Sequence, residues 1–312
     1  MTQRTYLRPT AFVDAPFGYD GQVLRLAGGL VWFSGVEIIR VEGGRRVEQQ
    51  LVPVERLDDV LDDQDRAMLA RITAPRPPIT LGERVIRFDQ PAVMAILNVT
   101  PDSFSDGGRH VGDPEGAAAA GVAMAEAGAA IVDVGGESTR PGAATVWEGD
   151  EIARVVPVIE RLARAGVAVS ADTRKAATMR AATGAGAGLI NDVSALTYDP
   201  EAMAVVAAAG CPVVLMHHQG TPQDMQKNPH YGDVLIEVYD WLEARITAAE
   251  AAGIARDRIL IEKAVQKMEE ENQPLIAIVS GGFHTPGIER YLRDLDYSYL
   301  VVTPSISEKV DE

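Results

Sequence analysis

Three polar residues stand at the ends of short apolar runs: Asn98 after Ala95-Ile96-Leu97, Asp172 after Val169-Ser170-Ala171, and Asn191 after Leu189-Ile190. A carboxylate partly desolvated by such a setting needs a paired donor. A flat heterocycle with an amino-amidine edge offers Asp172 two parallel N–H groups. Asn191 both donates and accepts, so it could read the neighbouring edge of the same ring. Two plainer roles stay open on these residues alone. Asp172 could pair with Arg174, and Asn191 could build a turn or cap with Asp192.

Arg140 follows Ser138 and Thr139, a guanidinium beside two hydroxyls and a set suited to an anionic, oxygen-rich group; a solvated surface arginine is the alternative. Asn98 offers a neutral oxygen to Mg2+, which takes few protein ligands and completes its shell with phosphate and water. A diphosphate therefore fits the same rim. His217-His218 does not suit zinc, because adjacent residues of an extended segment point to opposite sides and no cysteine pair or spaced histidine pair accompanies them. Met124, Met179 and Met203 read as core filler on helices.

The elements that must position these groups form a repeated pattern in which an apolar strand runs into a polar loop. It recurs at Asn98, at Asp133-Val134-Gly135-Gly136-Glu137, at Asp172, at Asn191-Asp192-Val193-Ser194 and at Met216-His217-His218. Gly107-Gly108, Gly135-Gly136 and Gly142 would let the backbone approach a ligand closely. Strands are expected over residues 92–97, 130–134, 167–171, 188–191, 211–216, 258–261, 274–279 and 299–303. Helices are expected over 114–127, 150–165, 175–183, 200–208, 233–252, 262–272 and 286–295. Such alternation predicts an α/β chain with a parallel sheet, and eight strands suggest a (β/α)8 TIM-type barrel with its loops on one rim. A doubly wound open sheet is the structural rival.

Residues 1–88 have a different texture and predict a small α+β extension, leaving 89–312 for the barrel, of which 262–312 is a divergent tail. In the extension, strand-like runs cover 30–33 and 36–41, Gly43-Gly44 marks a hairpin turn, and 47–54 would return. An acidic helix is expected over 57–72, closed by Pro75-Arg76-Pro77-Pro78.

With 312 residues and 46% hydrophobic content, the chain can bury a large core. Its 45 acidic residues against 29 basic ones leave a net charge of -16, which repels a polyanion and argues against a nucleic-acid partner. The lone cysteine, Cys211, permits no internal disulfide. The first residues lack the build of a secretory signal and no apolar run suits a membrane span, so a cytoplasmic location is expected.

The run from Leu97 to Gly108, with Gly135-Gly136-Glu137-Ser138-Thr139-Arg140-Pro141-Gly142, resembles the dihydropteroate synthase family over residues 86–261. That resemblance implies a transferase of folate biosynthesis. It would join (7,8-dihydropterin-6-yl)methyl diphosphate to 4-aminobenzoate, giving dihydropteroate and diphosphate. It implies Mg2+ at Asn98 and catalytic roles for Asp106, Arg140 and Asp172. Phe104, Thr139, Pro141, Asn191, Val193 and Met216 would contact substrate, with Phe104 and Asp106 on a loop that closes over aminobenzoate. A homodimer is compatible with it.

The pattern breaks after Ile261. Where the family continues with Asp-Pro-Gly, this chain has Glu262-Lys263-Ala264. The family's Ser-Arg-Lys gives way to Ser280-Gly281-Gly282, and its Arg-x-His to Thr303-Pro304-Ser305. Each lost charge-assisted bond costs an anion about 1.5–3 kcal/mol, so weakened turnover is expected. A non-catalytic pterin-binding or interaction protein and a pterin-binding methyltransferase domain are the alternatives. Thr139-Arg140-Pro141 argues against the methyltransferase.

Overall fold

The structure is a computed structural model that describes residues 3–13, 15–100, 112–138, 144–220 and 230–262. Its contacts divide the chain into two units, one of residues 1–78 with 87–91 and one of 79–86 with 92–312.

In the first unit, β1 (Arg4–Val13), β2 (Leu24–Arg25), β3 (Trp32–Glu42) and β4 (Arg45–Pro53) form an antiparallel sheet around β3. Gly43 and Gly44 both have positive φ, 56° and 77°, as a two-residue hairpin turn requires. The two expected runs before that turn are one strand, because Ser34 and Gly35 stay in the ladder: Gly35 pairs with both Thr10 and Pro53. The expected single helix is two, α1 (Leu57–Val60) and α2 (Asp63–Thr73). Asp62 divides them by adopting an extended backbone and accepting the Asp65 N–H at 2.8 Å, which caps a new helix rather than extending the old one. Phe33, Val36, Ile38, Val52, Leu57 and Leu61 make the core of this unit.

The second unit opens with a short hairpin, β5 (Ile79–Leu81) and β6 (Arg84–Ile86). It lies at the amino ends of the following strands. Arg84 Nε donates to the Gly166 carbonyl at 2.9 Å, and a β-carbon on Gly188 would meet Leu81 at 3.2 Å. Then come β7 (Met94–Asn98), α3 (Pro114–Glu126), β8 (Ile131–Gly135), α4 (Glu148–Arg164), β9 (Val169–Asp172), α5 (Ala176–Gly184), β10 (Leu189–Asp192), α6 (Ala202–Ala209), β11 (Val213–Met216), α7 (Val234–Ala251) and β12 (Ile259–Glu262). Every neighbouring pair of strands is parallel, and the order runs without reversal from β7 to β12. A doubly wound sheet needs a reversal at its switch point. Six successive βα strands in chain order are instead the wall of a (β/α)8 architecture. The expected strands at 274–279 and 299–303 lie outside the described residues, as do the helix at 286–295 and all but the first residue of that at 262–272. Glu262 itself ends β12 rather than beginning a helix.

Strand alternation splits this sheet into two chemically distinct faces. Leu97, Val132, Val134, Val169, Ala171, Ile190, Val213 and Leu215 pack on Val155, Val158, Ile159 and Leu162 of α4 and Met179 of α5. On α4 those residues recur at helical spacing, which makes one apolar stripe. Met124 and Met203 are partly buried against the same core. Asn98, Asp133, Gly135, Ser170, Asp172 and Asn191 fall on the opposite face of their strands. Among the described residues, no helix is long and apolar enough to cross a membrane.

Candidate active site

On the face away from the helices, Asn98, Gly135, Asp172 and Asn191 are register partners on four successive strands, continued by Val214 and Leu260. Sequence positions spread over more than ninety residues therefore meet in one row near the carboxyl ends of the strands. Gly135 is the gap in that row. A β-carbon there would lie 3.3 Å from both Asn98 Oδ1 and Asp172 Oδ2. Glycine thus leaves room between a carboxamide oxygen and a carboxylate oxygen, and the neutral Asn98 oxygen suits a cation that takes few protein ligands and completes its shell with phosphate and water. Among the described residues, no group of three histidine, cysteine, aspartate or glutamate side chains could cage an ion.

One row lower, Ile96, Asp133, Ser170 and Leu189 are register partners. Asp133 is a residue that sequence reasoning missed. Its signal was present, since it lies two positions before Gly135 and alternation puts it on the same face, between Val132 and Val134. Asn191 Nδ2 donates to Asp133 Oδ2 at 3.0 Å. Burial pushes the Asp133 carboxyl up, partly offset by the nearby Ser170 hydroxyl and the Asn191 amide. Asp133 Oδ1, Ser170 Oγ and Asn191 Oδ1 are buried and have no hydrogen-bond partner among the described residues. Native interiors rarely leave three such atoms together, and a polar ligand or ordered water is the usual remedy.

Two buried networks hold the loops that leave these strands. Arg174, the candidate partner of Asp172, gives Nε and Nη2 to Glu137 at 3.2 and 3.3 Å, and its guanidinium stacks 4.0 Å from the Tyr198 ring centre. Lys175 Nζ bridges Glu137 Oε2 at 2.9 Å and Glu151 Oε2 at 2.5 Å. Glu137 also accepts the Val146 N–H at 2.9 Å, so one carboxylate joins the segment after β8 to the residue that leads into α4. Burial alone would raise the Glu137 carboxyl, but the Arg174 and Lys175 bonds outweigh it and hold it below its usual range.

The second network follows β10. Asp192 Oδ1 accepts from Ser194 N and Oγ at 2.7 and 2.6 Å, and Oδ2 from Leu196 N at 2.9 Å. The turn role considered for Asn191 thus belongs to its neighbour. Ala195 and Leu196 take positive φ of 50° and 60°, and Arg245 pins their carbonyls at 3.0 and 3.3 Å. A left-handed backbone at two non-glycine residues is strained and persists only when such contacts over-determine it. Val193 sits half-buried at the start of this turn.

Met216 is buried at the end of β11, in register with Glu262. His217 and His218 do not point apart as expected. Both rings meet Trp241, at 4.9 and 5.8 Å between centres, because the ladder ends at Met216 and strand alternation no longer governs them. Phe104, Asp106, Thr139, Arg140 and Pro141 lie outside the described residues.

A family model described as pterin binding enzyme matches residues 94–281, beyond Ile261 where the motif resemblance ends. The dihydropteroate synthase of Escherichia coli strain K12 is 48% identical over 173 residues, 55% of this chain and 61% of that protein. The chain thus spans less than two thirds of that relative's length. A Yersinia pestis dihydropteroate synthase solved with a sulfonamide drug superposes with a TM-score of 0.58 at 44% identity, covering 60% of this chain and 68% of that one. The Xanthomonas albilineans dihydropteroate synthase solved with 4-aminobenzoic acid gives 0.55 at 48% identity, covering 62% and 71%. With the fold, the row of site residues and these likenesses in agreement, the chain belongs to the dihydropteroate synthase family of pterin-binding enzymes.

Proposed function

We propose that this chain condenses (7,8-dihydropterin-6-yl)methyl diphosphate with 4-aminobenzoate, giving dihydropteroate and diphosphate in folate biosynthesis. The observation that carries the reading is the row Asn98, Gly135, Asp172 and Asn191, which presents an acid and two carboxamides on one face of a rigid wall. The relative from Xanthomonas albilineans solved with 4-aminobenzoic acid supports the second substrate.

Asp172 accepts the amino-amidine edge of the pterin, and Asn191 reads the adjoining edge. Val193 and Met216 supply apolar contact to the ring, and Phe104, Asp106 and Pro141 supply contacts toward aminobenzoate. In the reaction the methylene carbon–oxygen bond breaks and its electron pair leaves with the diphosphate. The amine nitrogen then bonds to the methylene carbon and releases a proton. Thr139 and Arg140 bind the departing group as its charge grows. Asn98 would hold Mg2+, which supplies further charge neutralisation on the diphosphate when bound. The amine needs alignment more than a strong base, so the rigid row contributes through proximity.

A cytoplasmic location and a homodimer complete the reading. A coupled assay of diphosphate release with 4-aminobenzoate tests it: release above a blank lacking aminobenzoate is expected. Pterin binding without release would favour the non-catalytic binder, which the substitutions after Ile261 also favour.

A further inference from the structure

We propose that Asp133 is a positioning residue that decides which end of the Asn191 carboxamide meets the ligand. It holds Nδ2 below the row and leaves Oδ1 to accept an N–H from the ring. The inference rests on the reading of Asn191 as a pterin contact.

A carboxamide can turn over by half a rotation and exchange donor for acceptor, so only its neighbours fix its sense. Here the neighbour is a carboxyl on β8, and Asn191 lies two strands away on β10. Neighbouring strands stand about 4.8 Å apart, so the bond must cross over β9. Ser170, the β9 residue in register with Asp133, is short enough to let it pass. Across that gap Asn191 Nδ2 lies 3.0 Å from Asp133 Oδ2.

The other end of the amide is the telling one. Asn191 is 8% exposed, and its Oδ1 is buried with no partner among the described residues. An acceptor in that position is costly unless something donates to it. With Nδ2 committed to Asp133, the site discriminates in favour of a ring that brings an N–H and against one that brings a lone pair at the same place. Asp133 thereby sets specificity through Asn191.

Two measurements test this. In the ligand-free full chain carrying isotope-labelled asparagine, the Asn191 side-chain amide signals are identified by their loss in Asn191→Ser. One of these protons should exchange with solvent about tenfold or more slowly in wild type than in Asp133→Ala. Equal exchange overturns the proposal whatever the ligand does. Calorimetric titration with (7,8-dihydropterin-6-yl)methyl diphosphate should show Asp133→Ala binding about tenfold more weakly. Asp133→Asn, whose Oδ1 can still accept, should stay within about threefold of wild type. Equal affinity in Asp133→Ala, or no rescue by Asp133→Asn, overturns it. If wild type does not bind the pterin, the ring reading falls, and the exchange comparison still decides how Asn191 is held. Should Asp133→Ala fail to fold, Asp133→Ser, too short to reach across β9, carries the same comparisons.

Discussion

Replacing Gly135 with alanine should separate binding from stability. The new β-carbon would lie 3.3 Å from Asn98 Oδ1 and from Asp172 Oδ2, and 3.6 Å from Asp172 Cβ. Those two oxygens are the ends of side chains, so each can retreat by a few tenths of an ångström without moving the strands. Gly135 is not among the residues with positive φ, so alanine suits its backbone. Losing glycine's freedom in the unfolded chain should stabilise the fold by about 0.4–1 kcal/mol. The site should lose instead. A charge-assisted hydrogen bond is worth about 1.5–3 kcal/mol, and weakening one or two of them by displacement predicts a loss of roughly 1–2 kcal/mol, about five- to thirtyfold in affinity. Calorimetric titration with (7,8-dihydropterin-6-yl)methyl diphosphate, alongside urea unfolding of the same preparation, reads both numbers. Unchanged affinity in a protein of unchanged stability would refute the idea that Asn98 and Asp172 face one ligand across this glycine. A loss of stability above about 2 kcal/mol would refute the claim that these two side-chain ends can shift by a few tenths of an ångström.

Glu137→Gln should cost about 3–5 kcal/mol in urea unfolding at neutral pH, because it removes the anion that buried Arg174 and Lys175 share and leaves Lys175 with Glu151 alone. Its carboxyl is held below its reference value of 4.5, so its contribution is full above that value and disappears as pH falls through the lowered one; the gap between wild type and Glu137→Gln should close on acidification. Asp192→Ala should lower stability by about 2–4 kcal/mol and weaken pterin binding, since the Ser194 and Leu196 N–H groups lose their acceptor beneath a strained turn; unfolding curves that coincide with wild type would contradict this. Chelation of divalent ions, or Asn98→Ala, should weaken binding of the pterin diphosphate while sparing 6-hydroxymethyl-7,8-dihydropterin, and parallel titrations of the two compounds would show whether the loss tracks the diphosphate.

The wall was legible because β7, β9 and β10 each carry a polar residue at or next to the end of a largely apolar run. Asn98, Asp172 and Asn191 stand where that pattern placed them, and the register makes them neighbours. Strand starts were read up to two residues early, as at β7 and β11, since apolar lead-in residues look like strand before the ladder begins. The partners of the site were hidden for a different reason. Asp133, Glu137, Glu151 and Lys175 act through contacts that span 24 to 58 residues, and no local pattern reports a bond of that range. The split between α1 and α2 needed Asp62 to be recognised as a cap within an acidic stretch where several residues could have served. The joint packing of His217 and His218 on Trp241 depends on where the ladder stops, which alternation alone does not disclose.

The central claim is that the acid and carboxamide of β9 and β10 grip a pterin ring, and Asp172→Ala addresses it most directly. Titrating (7,8-dihydropterin-6-yl)methyl diphosphate into wild type and the variant, both confirmed as folded, should show binding by wild type that falls by at least about tenfold in the variant. Equal affinities in the two proteins would contradict the account.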